Sequence, residues 1–337
     1  MGLLWSPCCH AARGSTRCTT TCASPEAVLV MARHAGVVNE ASADPTPLSF
    51  QHVLLPLDGS QFALAAMPTA RAAAARFGAV VNTISVAGDE RDADRLRRHA
   101  VEALGGTADE DRAHVVVAKD PASVIRDRAD ELGSCLVCMS TRGRGRVVGT
   151  LIGSVARATL LLANRPLIVV GPSADRPGVM VGRPRRRPSS WPEPLSGGGV
   201  IACVDGSDTS EAVLPVAAQW AAALRSGLTI LTVADEAATA PSGERPNRFG
   251  PADPKGYVDD LAARWRNHVP DAAGEVVYDP LEVASGIGAR VARQPAALVA
   301  VTTHARTGFD RLRLGATAAD IVRVSTAPTL VVPLPRP

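Results

Sequence analysis

The sequence predicts an α/β protein made of two tandem doubly wound, five-stranded parallel sheets, and three observations carry that reading. A long segment recurs within the chain, short apolar runs alternate with Ala-rich helical stretches, and 337 residues are too many for one ordinary core.

The repeat comes first. Val53-Leu-Leu-Pro-Leu-Asp58-Gly59-Ser60 returns as Val200-Ile-Ala-Cys-Val-Asp205-Gly206-Ser207, an offset of 147 (205 − 58), and Met67-Pro68 returns at that offset as Leu214-Pro215. Val86 maps in the same way onto Val233. Further on, the offset is 162: Met139 maps onto Val301, Gly153 onto Gly315 and Pro166 onto Pro328. The second copy therefore carries 15 extra residues (162 − 147), assigned to the Pro-, Gly- and Ala-rich stretch 235–256, which reads as a surface loop.

The alternation follows. In the first copy, strands are expected near 52–57, 80–86, 114–118, 135–139 and 167–170, with helical stretches such as 63–77 and 121–132 between them. Alternating β and α implies a parallel sheet covered on both faces, which is why its strands read as short, continuously apolar runs. Right-handed crossovers then make the sheet doubly wound, with ligands beyond the carboxyl ends of the strands. The resulting organisation is a disordered extension over 1–49, a first domain over 50–172, a linker over 173–198 and a second domain over 199–337. The linker carries the basic run Arg183 to Arg187.

Composition removes several function classes. A hydrophobic share of 46% suits a packed core, while an aromatic share of 3% leaves little with which to stack nucleobases. A net charge of +3 gives no broad basic face, so no nucleic-acid partner is expected. Neither Lys119 nor Lys255 stands in a Walker-type phosphate loop. No apolar run reaches the ~18 residues of a membrane span, and no secretory leader is evident, so the expected location is the cytoplasm, with no membrane partner. Cys8, Cys9, Cys18, Cys22 and His10 cluster near the start without paired metal-binding knuckles, and Cys135 and Cys138 lie in an apolar run as core thiols; no metal site is expected.

Two features at strand ends carry chemistry. Asp58, ending the first strand before Gly59-Ser60, can accept a bond from a ligand or, equally, organise the start of the next helix; Asp205 is its counterpart. The second is the segment from Met139 to Ser154, rich in Gly and Arg, which follows the fourth strand and opens a helix. Glycines there let backbone N–H groups approach phosphate oxygens, and the helix N-terminus with Ser154 adds a dipole and a hydroxyl. A flexible surface turn, or an Arg-Gly contact to nucleic acid, is the alternative for such a loop.

These residues together resemble the universal stress protein family in its tandem-domain form. In that family's ATP-binding members the fourth strand ends in Gly, a second Gly follows after two residues, and nine residues later Gly precedes Ser or Thr. Here Ser140, Gly143, Gly153 and Ser154 stand at those places, with serine as the one departure. The resemblance implies an adenine nucleotide alpha hydrolase-like sheet of strand order 3-2-1-4-5 in each copy. It also implies an adenosine contact from Asp58, preceded by Pro56, and an adenine wall at Val86. In the second copy Asp205, Val233 and Gly315 remain, but Thr302, Ala305 and Ala316 replace the other places, so the first copy is the expected nucleotide site. The family further implies ATP, with or without magnesium, as the cofactor. Its last strands pair edge to edge, giving an intrachain pseudo-dimer and leaving room for a homodimer.

The function expected is that of an ATP-binding stress-response module, with a nucleotide-free interaction module of the same fold as its rival. An adenylating enzyme is disfavoured, because the Ser-Gly-Gly-x-Asp-Ser loop of that branch is missing after the first strand. No nucleophile, base and orienting group assemble from spacing, so no catalytic residue is expected, and any ATP hydrolysis should be slow.

Overall fold

The computed structural model describes residues 48–141, 152–175, 193–235, 250–279, 281–303 and 316–334. The first copy runs β1 (His52–Pro56), a 3₁₀ turn (Ala63–Ala66), α1 (Met67–Phe77), β2 (Val80–Ala87), α2 (Glu90–Leu104), β3 (Ala113–Val117), α3 (Pro121–Glu131), β4 (Cys135–Ser140), α4 (Ser154–Leu162) and β5 (Leu167–Val170). A short α5 (Pro172–Asp175) follows. The second copy runs β6 (Val200–Cys203), α6 (Asp208–Glu211), α7 (Leu214–Leu224), β7 (Leu228–Ala234), α8 (Pro254–Trp265), β8 (Ala272–Tyr278), α9 (Val283–Arg293), β9 (Leu298–Thr302), α10 (Ala316–Val324) and β10 (Thr329–Val332).

Local chemistry sets the boundaries. Asp89 caps α2 by accepting from the Asp92 N–H at 2.8 Å, and Asp120 and Asp253 cap α3 and α8, each followed by a proline whose missing N–H is no loss at that place. Helix α1 ends on Gly78 in the left-handed region, φ 66°. The corresponding end of α7 falls on Arg225, φ 52°, at the 147-residue offset.

The ten strands of the described residues form one sheet, ordered β3-β2-β1-β4-β5-β10-β9-β6-β7-β8, so each copy has the order 3-2-1-4-5. Pairing is parallel within each copy and antiparallel at the seam, where Ile168 of β5 faces Leu330 of β10. Side chains along β1 alternate between the faces: Val53 and Leu55 enter one core with α1, α7 and α8, and Leu54 enters the other with α3, α4, α9 and α10. Both cores contain residues of both copies. Cys135 and Cys138 lie in opposite cores, as residues three apart on a strand must, and are free thiols. Burial pushes the Cys135 thiol up to about 11 and the Cys138 thiol higher still.

Contacts across the seam go beyond the strands. Phe50 and Phe77 of the first copy meet Trp220 of the second, with ring centroids 6.1 and 5.2 Å away. Gly171 presses so closely on α10 that a Cβ there would stand 1.8 Å from the Val322 carbonyl oxygen. Both ends of the stretch read as a linker are packed: Ser173 Oγ donates to the Arg323 carbonyl at 2.9 Å, and Leu195 is buried. Hydrophobic burial and a backbone acceptor hold these ends, which composition alone does not reveal.

Candidate nucleotide site

The site begins where two neighbouring strands part. β1 pairs with β4 as far as Leu54 opposite Val137, but continues along β2 to Pro56 opposite Ile84, and the Leu57 N–H still donates to the Ile84 carbonyl at 2.8 Å. Backbone N–H groups alternate sides along a strand, so the one Pro56 lacks would have pointed toward β4, beyond the end of that ladder. Proline is thus tolerated in a central strand here. The gap between the carboxyl ends of β1 and β4 is the switch point at which such sheets bind ligands.

Asp58 stands at this gap, partly exposed. Gly59 turns the chain with φ 77°, the Ser60 N–H donates to Asp58 Oδ1 at 2.9 Å, and Ser60 Oγ accepts from the Ala63 N–H at 3.2 Å. The carboxylate therefore organises its own turn, the bland half of the sequence reading, while remaining at the mouth. Val86 lies beside Val116 near the end of β2, part-buried.

Ser140 ends β4 opposite Val170, and the Thr141 N–H donates to the Val170 carbonyl at 3.1 Å. Gly153 then folds back: its N–H donates to the Thr141 carbonyl at 2.8 Å, and a Cβ on Gly153 would stand 3.1 Å from that same oxygen. Glycine permits this approach, and it brings the N-terminus of α4 to the end of β4. Gly153 is the N-cap residue and has no side chain to cap with, so Ser154 opens α4 exposed. Peptide dipoles concentrate partial positive charge there, and an anion is the complementary partner. Thr141, which sequence reading did not single out, is buried with its Oγ1 lacking a hydrogen-bond partner among the described residues. Gly143 lies outside the described residues.

The structure thus gathers Pro56, Asp58, Val86, Ser140, Gly153 and Ser154 along the carboxyl edge of adjacent strands. In the second copy Asp205 accepts from Ser207 twice, N–H at 3.0 Å and Oγ–H at 2.5 Å, and Ser207 caps α6. Val233 is buried beside Val277, and Cys203 takes the place of Pro56, its thiol pushed up to about 12 by burial. Gly315 and Ala305 lie outside the described residues. Tyr257, absent from the sequence reading, donates its hydroxyl to Glu211 at 2.9 Å; burial, then Glu211, pushes its ionisation above the usual phenol range.

Among the described residues no group of three or more His, Cys, Asp or Glu is placed to hold a metal ion, and no helix is long and apolar enough to cross a membrane. His114 is held below the usual imidazole range by desolvation first and by Arg128 second, on an outer strand of the sheet away from the switch point.

The chain was then compared with known proteins. The model of the universal stress protein family matches residues 49–171 and again 199–333. Universal stress proteins of Mycobacterium tuberculosis and Mycobacterium bovis are 28% identical over 210 residues, 60% of this chain; the chain spans 59% of the length of these relatives. A solved protein of unknown function from Pseudomonas aeruginosa shares the fold at TM-score 0.54 and 15% identity, covering 85% of this chain and 94% of that one. A universal stress protein from Archaeoglobus fulgidus also gives TM-score 0.54, at 14% identity, covering 84% of this chain and 98% of that one. Two matches, each spanning one copy of the repeat and one half of the sheet, establish that the chain belongs to the universal stress protein family.

Proposed function

We propose that the first copy binds an adenine nucleotide, ATP with or without magnesium, and that occupancy makes the chain a nucleotide-dependent stress-response module rather than an enzyme. One observation carries the reading: the glycine-capped start of α4, with Ser154 exposed, lies at the switch point beside Asp58. A nucleotide suits both ends of this arrangement. Its phosphates match the helix N-terminus, and its sugar and base offer hydrogen-bond donors to a carboxylate beside the apolar Val86. Sequence spacing assembles no nucleophile, base and orienting group, and that is the ground for proposing binding rather than turnover. The antiparallel seam between β5 and β10 supports treating the two halves as an intrachain pseudo-dimer, and the cytoplasm is the location proposed for it; whether pairs of chains associate further is read by sedimentation.

Calorimetry with ATP and with ADP in magnesium, on the full chain and on a Gly143→Trp, Ser154→Glu variant checked for folding, tests the proposal. Saturable binding near one site per chain, lost in the variant, is expected. No binding by the folded wild type overturns it and leaves the nucleotide-free interaction module.

A further inference from the structure

The antiparallel seam consumes β5 and β10, so the sheet of the described residues ends on β3 at one side and on β8 at the other. An open edge is a template for another strand, and natural edges are blunted by charge, proline, bulges or cover. The two edges differ in this respect. β3 reads Ala-His-Val-Val-Val, with no proline and an unbroken register along β2, and Val117 is 44% exposed. Its one titratable side chain, His114, is held below the usual imidazole range by desolvation and by Arg128, so the strand is uncharged at neutral pH.

β8 carries a charge at the equivalent place. Val116 lies beside Val86 and Val277 beside Val233, so the repeat sets Glu275 where β3 has His114. Glu275 accepts from Arg290 Nε of α9 at 2.5 Å, and a strand laid along β8 would press an apolar neighbour against that pair. The charge blunts β8 and leaves β3 as the permissive edge.

The backbone of β3 is also aimed to receive a partner. The Ala118 N–H donates to the Ala87 carbonyl of β2 at 3.1 Å, and successive residues alternate sides, so Ala113, Val115 and Val117 turn their main-chain groups away from β2. An antiparallel copy of this five-residue strand overlaps it fully only about the middle residue, Val115. In that register Val115 of each chain donates to and accepts from Val115 of the other. Each Val117 N–H meets the other chain's Ala113 carbonyl, while the Ala113 N–H is already bonded within its own chain to the Glu110 carbonyl. Side chains match as well: exposed Val117 comes opposite Ala113, and His114 opposite Val116, with no like charges facing each other.

We infer that β3 is a docking edge for a second copy of this chain, the two strands pairing antiparallel about Val115 and carrying the ten-stranded sheet on into its partner. The junction repeats between chains the antiparallel joint that β5 and β10 make within one. The inference goes beyond the nucleotide reading and does not rest on it.

Sedimentation equilibrium on the full chain tests the edge. Wild type is expected to pass from 34.9 kDa to twice that mass through the micromolar range. Val117→Lys puts a charge on the open edge at an exposed position, and is expected to raise the dimer dissociation constant by about tenfold or more with an unchanged circular dichroism spectrum. Tyr278→Lys, the equivalent change on β8, is expected to leave it unaltered. Amide exchange resolved to single residues gives a readout on wild type alone: Val115 and Val117 should slow as concentration rises, while His114 and Val116, turned toward β2, should not change. A wild type that stays monomeric through this range overturns the proposal. So does a dimer that Val117→Lys leaves intact, one that Tyr278→Lys dissolves, or one whose formation leaves Val115 and Val117 exchanging as before.

Discussion

Phe77, the last residue of the first copy's α1, meets Trp220 of the second copy's α7 edge to face, with centroids 5.2 Å apart and planes at 90°. Phe50 closes the cluster, also edge-on to Phe77 at 5.0 Å. In a chain with five Phe and four Trp, three of these rings sit where the copies meet. Trp220 is fully buried, so Trp220→Ala removes the largest apolar group of the seam and is expected to cost about 3–5 kcal/mol. Urea unfolding followed by circular dichroism checks the loss. A double-mutant cycle with Phe77→Ala should show a coupling of about 0.5–1.5 kcal/mol; zero coupling would mean the rings only fill space.

Gly171 makes the second seam prediction. Gly171→Ala would place a methyl 1.8 Å from the Val322 carbonyl oxygen, where backbone rather than a flexible side-chain end must move. The substitution is expected to destabilise by about 1–3 kcal/mol or more, by pushing α10 off the end of β5. A thermal melt measures the cost, and limited proteolysis between the copies should quicken alongside it. A wild-type melting temperature would show that α10 yields freely there.

Much of this fold was legible because a repeat and an alternation are properties of one dimension. The 15-residue excess of the second copy falls between Val233 and Val301 in sequence, and the structure contains it in the connection from β7 to α8. Asp58 and Asp205 stand at equivalent strand ends for the same reason. What stayed hidden depends on partners far apart in the chain. Nothing near Trp220 announces Phe77, and Gly171 reads as the end of a strand until Val322 is seen against it. No motif in its own stretch of sequence marks Tyr257. Its bond to Glu211 appears only once that side chain, 46 residues earlier in the chain, is brought beside it.

The buried thiols predict an alkaline weakness. Burial raises Cys135 from an ordinary value of 9.0 to about 11 and Cys203 to about 12, so the folded state holds these protons more tightly than the unfolded state. Their contribution is complete below about pH 9 and falls as pH rises through the folded values. Unfolding free energy should therefore drop between about pH 9 and 11, and the drop should shrink in a Cys135→Ala, Cys203→Ala variant compared with its own neutral-pH stability. Mass-spectrometric mapping of alkylation at pH 8 should leave Cys135 and Cys138 unmodified in the native chain and modified in urea. Rapid native labelling would mean these thiols are reached by opening that the packing does not suggest.

The ends of α1 and α7 offer a paired test of backbone conformation. Offset by 147 residues, Gly78 and Arg225 occupy the same left-handed cap, φ 66° and 52°, and only the glycine does so without steric cost. A Cβ on Gly78 would meet nothing within 4 Å, so packing does not enter and the comparison isolates the backbone. Gly78→Ala is expected to cost about 1 kcal/mol, and Arg225→Gly to gain somewhat less than about 1 kcal/mol, because glycine also loosens the unfolded chain. Both are read from urea midpoints at constant m-value. If Arg225→Gly destabilised instead, the arginine side chain would be holding the end of α7 by more than its backbone strain removes.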